Sequence, residues 1–141
     1  MRKHLSLLLV LTILLAMAVP SFAATADTAQ PWYVNTSQAR ITMSISDTGL
    51  ASISLTCTGL SSVSHIDAEV YLERQVGSAW VRVDNGMTDD IWTYTSTNRF
   101  MVKSFTHQLT VKGKYRATVT YTVHGSSQDE VLTFDATREY T

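Results

Sequence analysis

The sequence is poor in the residues that most often staple a small fold or bind nucleic acid. It has a single cysteine, Cys57, which excludes an internal disulfide. Only 16% of the residues are charged, and without Arg2 and Lys3 near the N-terminus nine basic residues face twelve acidic ones. The resulting net charge of −3 comes without clustered lysine and arginine, so nucleic acid is not an expected partner.

Long hydrophobic runs are also scarce, and the chain has one, Leu5–Val19, near its basic start. Small residues follow it at Ser21 and Ala23, which predicts a secretory signal peptide over residues 1–23, cleaved after Ala23. A second A-x-A site at residues 24–26 allows cleavage three residues later. The run is fifteen residues long, short of the ~20 that span a bilayer, which disfavours a membrane anchor. We therefore expect a secreted, extracellular protein without a membrane span in the mature chain.

Polar and apolar residues alternate through most of the remaining chain, which is the period of β-strands. Residues 24–39 read as an extended lead-in, and residues 40–141 as one domain. Within this domain we predict strands at 40–46, 50–58, 66–73, 80–84, 99–109, 115–123 and 131–140. The segment 66–73 also fits a short helix, but its clean alternation favours a strand. The structure of residues 85–100 is left open.

The clearest of these patterns is the stretch Leu109–Val123, in which a turn at residues 112–114 leads into a strand. From Tyr115 onward, apolar and aromatic residues occupy every second position as far as Val123. Arginine and threonine fill the positions between them. One face of this strand is therefore predicted to lie in the core and the other to face water.

Leu109, Gly113 and Tyr115, followed by this strand, resemble the tyrosine corner of immunoglobulin-like and fibronectin type III domains. The resemblance implies that the Tyr115 hydroxyl binds a backbone carbonyl a few residues upstream. The alternative is an ordinary core tyrosine. The chain also resembles small secreted bacterial single-domain proteins of unknown function, a likeness that implies no activity.

The strand pattern and the resemblance together predict an all-β fold, an antiparallel two-sheet sandwich of about seven strands. The resemblance places Cys57 across the core from Ala117, where an immunoglobulin domain has its second bridging cysteine. Residues 65–75 also lack the tryptophan of true immunoglobulin domains, which favours a fibronectin-like sandwich. Cys57 lies on an apolar strand face, so we expect a buried thiol, with an intermolecular bridge as the alternative.

Catalytic and metal-binding motifs are missing from the sequence. His65, His107 and His124 lie far apart, without metal-site spacing, so we expect no metal site. Asp84 and the pair at 89–90 could suggest calcium, but a solvated turn is favoured over an ion site. The chain has no G-x-S-x-G motif, and a small sandwich rarely holds a deep catalytic pocket. We expect no enzymatic activity and no cofactor.

The aromatic residues outside the obvious core are the remaining candidates for a binding site. Trp92 and Tyr94 project to one side of any extended segment, and Trp80 lies on a predicted edge strand. Rings presented in this way could stack on sugars. The alternative is that Trp80 and Trp92 are buried against the ends of the sheets.

The expected function is a secreted non-catalytic binding or structural module, with a glycan or a protein at the cell surface as possible partner. One alternative is a carbohydrate-binding module that uses Trp92 and Tyr94. Another is a self-assembling surface subunit, in which residues 24–39 or an edge strand pair with a neighbouring copy. A glycosylation sequon at Asn35 is most simply a chance match.

Overall fold

The central strand of the domain is β7, Gly113–His124, and it follows the predicted alternation. Its inward side chains are almost completely buried, from Tyr115 to Val123. The strand pairs antiparallel with β3 on one side and with β8 on the other. The main chain of β7 is therefore hydrogen-bonded on both edges, and its inward face can lie in the middle of the core.

The computed structural model describes residues 33–141 and consists almost entirely of β-strands. The predicted signal peptide and most of the lead-in lie outside the described residues. The eight strands are β1 Thr36–Ile45, β2 Leu50–Gly59, β3 His65–Val76, β4 Ala79–Arg82, β5 Trp92–Ser96, β6 Phe100–Gln108, β7 Gly113–His124 and β8 Asp129–Tyr140. Over residues 33–141, no helix is long and apolar enough to cross a bilayer.

The strands form two antiparallel sheets, which confirms the predicted all-β, two-sheet, immunoglobulin-like fold. The smaller sheet has the order β1-β2-β6. The larger sheet has the order β4-β3-β7-β8. β5 pairs with the same edge of β3 as β4 does, but nearer the start of β3. In an immunoglobulin constant domain, the fourth strand belongs to the sheet that contains the first, second and fifth strands, not to the sheet of the third strand. Here β4 and β5 both pair with β3 instead, so the fold departs from that domain type.

The core lies between the inward faces of the two sheets. Its centre is formed by Ile53, Leu55 and Cys57 from β2, Ile66, Val70 and Leu72 from β3, and Ala117, Val119, Tyr121 and Val123 from β7. Tyr121 is fully buried, and its hydroxyl donates a 2.8 Å hydrogen bond to the Arg40 carbonyl of β1. This bond joins the two sheets through the core and satisfies a hydroxyl that is shielded from water.

A carboxylate on β8 fixes the beginning of β1. Glu130 accepts hydrogen bonds from the Val34 and Asn35 amides, at 2.6 and 3.0 Å, and from the Thr36 hydroxyl at 2.7 Å. The Asn35 side chain is buried, and its amide nitrogen donates to the Gln128 carbonyl at 2.7 Å. An asparagine held in this way has no free amide to accept a glycan in the folded protein.

The structure differs from the predicted elements at two places. β1 begins at Thr36, four residues before the predicted start of the first strand at residue 40, because these residues pair with the end of β2. Within the stretch left open, Thr88–Asp90 forms a short 3₁₀ turn and Trp92–Ser96 forms β5. This additional strand raises the count from about seven to eight. Segment 66–73 lies within β3 and is a strand, as predicted.

Candidate functional site

The register of β3 and β7 brings together two histidines that the sequence separates widely. His65 begins β3 and His124 ends β7, and the antiparallel pairing places these residues opposite each other. Their rings stack with centroids 3.9 Å apart and with an interplanar angle of 6°. The sequence argument considered only their spacing along the chain, and strand pairing brings them together.

Asp67 joins the two histidines, because it is the next residue of β3 on the same outward face. Its Oδ2 atom lies 2.9 Å from Nε2 of His124. Each of the three residues offers one nitrogen or oxygen atom, and these atoms all lie within 4.8 Å of one another. We call His65, Asp67 and His124 the histidine cluster. The sequence predicted no metal site, and the atom types of this cluster are ones that can bind a metal ion.

Neighbouring polar groups fix the orientation of all three side chains. Nδ1 of His124 lies 3.1 Å from Oδ2 of Asp129, the residue paired with it across the β7–β8 turn. Nδ1 of His65 lies 2.9 Å from the Ser64 hydroxyl. The Thr95 hydroxyl on β5 donates a hydrogen bond to Oδ1 of Asp67. These contacts use Nδ1 of both histidines and Oδ1 of Asp67, not Nε2 of either ring or Oδ2 of Asp67.

Asp67 is stabilised as a carboxylate. The hydrogen bond from Thr95 is the main cause that lowers the pKa of Asp67, and the hydrogen bond from His124 and the nearby histidine charges act in the same direction. Partial burial opposes the shift but does not cancel it. An ionised Asp67 gives the cluster one negative charge near neutral pH.

A polar groove runs from the histidine cluster along the outward face of the larger sheet. It has a volume of about 380 Å³ and crosses β5, β3 and β7. Its outward side chains, which we call the sheet-face groove, are Asp67, Glu69, Thr93, Thr95, Thr120, Thr122 and His124. The groove thus combines four threonine hydroxyls with two carboxylates and an imidazole, all of which can form hydrogen bonds.

A second cavity, of about 410 Å³, lies at the opposite end of β3 beside Tyr115. Arg74, Arg82 and His107 are among its polar groups, and Leu109 with Tyr115 forms part of its wall. The Arg82 guanidinium lies 3.7 Å from the centre of the Tyr71 ring, so a cation–π contact already engages this group. The cavity is slightly larger, but it lacks the convergent ligand atoms of the histidine cluster.

Trp92 was predicted as a ligand-binding residue, and the structure places it in the core instead. It is only 9% exposed and stacks on Phe105 of β6, with centroids 5.6 Å apart. The edge of His107 packs against it at 6.0 Å. Trp92 and Tyr94 do project to the same side of β5, but that side faces inward. Trp92 therefore cannot stack on a sugar, and the alternative that it is buried is the one observed.

The other two predicted aromatic residues, Tyr94 and Trp80, are partly buried, and a cationic side chain packs on the ring of each. The Lys103 ammonium lies 4.8 Å from the centre of the Tyr94 ring. The Arg116 guanidinium lies 4.4 Å from the centre of the Trp80 ring on the outward face, and Arg116 also binds Glu73 at 2.7 Å. Trp80 and Tyr94 lie on opposite faces of the larger sheet, so the three predicted aromatics do not form one platform.

The residues of the predicted tyrosine corner meet at the start of β7. The Tyr115 hydroxyl donates a 2.5 Å hydrogen bond to the Val111 carbonyl, the upstream contact that the resemblance implies. Leu109 is buried, and its amide donates to the Gly49 carbonyl at 2.9 Å. Gly113 has a φ of 143°, a conformation that favours glycine over other residues.

Cys57 is a fully buried free thiol on the inward face of β2. Burial is the main cause that raises the pKa of the Cys57 thiol to about 12, and Glu130 contributes. Ala117 is also fully buried, on the facing strand β7. Both residues are small parts of the core, and neither offers a reactive group to solvent.

The aspartates considered for calcium stabilise a turn. The Asp84 carboxylate accepts a hydrogen bond from the Gly86 amide at 2.9 Å, and the Asp90 carboxylate accepts one from the Asn85 amide at 3.3 Å. Among the described residues, the grouping of metal-ligand atoms is found at the histidine cluster and not here. The interpretation as a turn therefore agrees with these contacts.

The fold and the groove define the class of the protein, an immunoglobulin-like β-sandwich domain with a polar sheet face. No protein-family model matches the chain, and no curated protein matches it. Among solved structures, the chain is similar to the CARDB domain of the PF1109 protein from Pyrococcus furiosus, described as a complex with di-metal ions. The two chains are 19% identical, with a TM-score of 0.40, over 74% of this chain and 89% of the other.

Proposed function

We propose that this protein is a secreted, non-catalytic binding module that recognises a hydroxyl-rich ligand, such as a glycan, at the sheet-face groove. The observation that carries the proposal is the composition of this groove. Thr93 and Thr95 are exposed on β5, and Thr120 and Thr122 are half-buried on β7. Each hydroxyl can both donate and accept a hydrogen bond, which suits the hydroxyl groups of a sugar.

Two carboxylates add acceptors to this row of hydroxyls. Glu69 is exposed between the two threonine rows, and Asp67 lies at the end of the groove. The paired strands hold the backbone of all these residues in place, so little ordering of the main chain is needed on binding. The location outside the cell rests on the predicted signal peptide.

The proposal is tested by retention of the protein on insoluble polysaccharides and peptidoglycan. The full chain is expressed with its own leader. The protein is purified in the form that the expression host produces and is compared with Thr122→Val. Thr106→Val is the matched control, since Thr106 is an exposed threonine on the outward face of the other sheet. Loss of one hydrogen bond, about 0.5–1.5 kcal/mol, weakens binding by roughly 2- to 10-fold.

We expect retention of the wild type and of Thr106→Val, and weaker retention of Thr122→Val. Equal retention of all three proteins would place the ligand site outside the groove. Absence of retention on every polysaccharide and on peptidoglycan would contradict a hydroxyl-rich ligand of this kind.

Self-assembly through β6 is a second candidate function. Among the described strands, β6 pairs only with β2, so its other edge has free main-chain groups. Phe100 and Val102 on this strand are 52% and 78% exposed. Lys103 points inward, however, and an inward charge is a common device against edge-to-edge pairing. Size-exclusion chromatography at rising concentration tests assembly, and a protein that stays monomeric throughout would contradict it.

A further inference from the structure

We infer that the histidine cluster binds a divalent transition-metal ion, with Nε2 of His65, Nε2 of His124 and Oδ2 of Asp67 as its ligands. Two imidazoles and one carboxylate are ligands that zinc, nickel and copper accept, whereas calcium and magnesium prefer oxygen alone. The inference goes beyond the proposed function, because metal affinity does not depend on what the groove binds.

The contacts around His124 select the nitrogen that a metal needs. Oδ2 of Asp129 lies 3.1 Å from Nδ1 of His124, and Nε2 of the same ring faces Oδ2 of Asp67. A carboxylate that accepts the second ring proton is the usual support of a metal-bound histidine, because it fixes the tautomer and the ring orientation. His124 therefore has Nε2 beside Asp67, where an ion would bind, and Nδ1 beside the Asp129 carboxylate, which would support the ring.

His65 and Asp67 are supported in the same way. The Ser64 hydroxyl donates to the His124 carbonyl at 3.3 Å, so its oxygen is available to accept the Nδ1 proton of His65. This leaves Nε2 of His65 as the unprotonated nitrogen. Thr95 occupies Oδ1 of Asp67 and leaves Oδ2 for an ion. The contacts of Ser64 and Thr95 thus leave Nε2 of His65 and Oδ2 of Asp67 for an ion, and at His124 the ion replaces the Nε2 proton shared with Asp67.

The closest pair of atoms in the cluster requires a positive charge between them. An imidazole lone pair and a carboxylate oxygen repel each other at 2.9 Å, the separation of His124 Nε2 and Asp67 Oδ2. Either a proton or a metal ion can provide this charge. Two ligands on a tetrahedral zinc ion lie about 3.3 Å apart, given bond lengths of about 2.0–2.1 Å, so the pair needs to open by only a few tenths of an ångström.

The two stacked rings must rearrange when the ion binds. In parallel rings with centroids 3.9 Å apart, the lone pairs point side by side and do not converge. His65 stands at the beginning of its strand, where its ring can turn about χ2 toward the ion. Metal binding is therefore expected to break the ring stack, which gives a signal specific to His65 and His124.

Three protein ligands leave one position on a tetrahedral ion, as in sites that keep a water or a ligand group on the metal. Asp67 and His124 also line the sheet-face groove, so this position is close to the proposed ligand site. The inference is limited to binding of the ion.

Calorimetric titration with zinc tests the inference. The full chain is expressed with its own leader, carries a tag without histidine, is stripped with a chelator and is titrated with zinc and with calcium. We expect zinc to saturate at one ion per chain, without a comparable response to calcium. His124→Asn and Asp67→Asn should each weaken zinc binding at least about tenfold, and Asp129→Asn about 10- to 100-fold.

His107→Asn is the matched control, because His107 packs against Trp92 away from the cluster. Its zinc affinity should equal that of the wild type. Zinc should also shift the ring resonances of His65 and His124 in the wild-type protein and leave those of His107 in place. The measurement of ring resonances uses only the wild-type protein, so it tests the inference even where a substitution disturbs folding.

The inference is overturned if the wild type binds no zinc, if the folded cluster variants bind as tightly as the wild type, or if zinc shifts His107 instead. The threonines tested for the proposed function are not ligands in the cluster. A failure of zinc binding therefore leaves the polysaccharide experiment unaffected, and the reverse also holds.

Discussion

Two tyrosines on β7 donate their hydroxyl protons to backbone carbonyls in different surroundings. Tyr121 is fully buried and reaches the Arg40 carbonyl across the core, whereas Tyr115 reaches the carbonyl of Val111, a residue that is 46% exposed. Burial raises the pKa of both hydroxyls. The same hydrogen bond is therefore worth more at Tyr121, where water cannot replace the lost donor.

Tyr121→Phe should lower the free energy of unfolding by about 1–3 kcal/mol, because the carbonyl then faces the core without a donor. Tyr115→Phe should lower it by about 1 kcal/mol, since water can reach the exposed end. Urea denaturation measures both. A larger loss for Tyr115→Phe than for Tyr121→Phe would contradict this order, and no loss for Tyr115→Phe would remove the tyrosine-corner bond as a source of stability.

Cys57 should be inert toward thiol reagents in the native protein. Its pKa of about 12 leaves roughly one thiolate in ten thousand thiols at pH 8, and burial blocks access to that fraction. Labelling should become fast only in denaturant, at the concentrations that unfold the domain. Rapid labelling of the folded protein, or a dimer that reducing agent dissolves, would instead indicate an exposed or bridging Cys57.

At the scale of the elements, the beginning of β1 depends on one side chain of β8. Glu130→Gln removes the negative charge and one of the two oxygens that bind the residues from Val34 to Thr36. Hydrogen bonds to a charged group are worth about 1.5–3 kcal/mol each, so we expect a loss of stability of about that size. Amide exchange at residues 34–36 should accelerate more than exchange in β7.

Glu139→Gln is the control for this prediction, because Glu139 is an exposed carboxylate on the same strand. Its effect on stability should be small, as expected for a surface position. Unchanged exchange at residues 34–36 in Glu130→Gln would show that the strand pairing with β2 alone holds the start of β1.

The individual strands could be predicted because their pattern is local. The alternation from Tyr115 to Val123 specifies both the strand and its buried face without reference to any other element. Trp92 shows where this reasoning stops. Period two places Trp92 and Tyr94 on one side of β5, but only the pairing of β5 with β3 decides that this side is the inner one.

At the scale of the whole molecule, the histidine cluster depends on the register of two strands. Asp67 and His124 are 57 positions apart, and a shift of β3 by one residue would send His65 and Asp67 to the opposite face. A signal was present, however, in the two histidines that directly precede and follow predicted strands, at 66–73 and 115–123. In an antiparallel pair the start of one strand lies beside the end of the other, so the resemblance could have suggested the contact.

The groove is likewise a property of the assembled sheet. The threonines of β7 were predicted to face water, whereas those of β5 lie in the stretch left open, and β3 brings the two rows together by pairing with both strands. The sequence indicated a polar, weakly charged surface. The place on this surface where hydroxyls and carboxylates converge follows from strand order alone.

The most direct measurement of the proposed function is a map of amide chemical shifts during titration with soluble fragments of bacterial polysaccharides. We predict that the perturbed amides cluster on β5, β3 and β7, with the largest shifts near Thr93 and Thr122. Perturbations confined to β1, β2 and β6, or no perturbation by any fragment, would contradict the assignment of the sheet-face groove as the binding site.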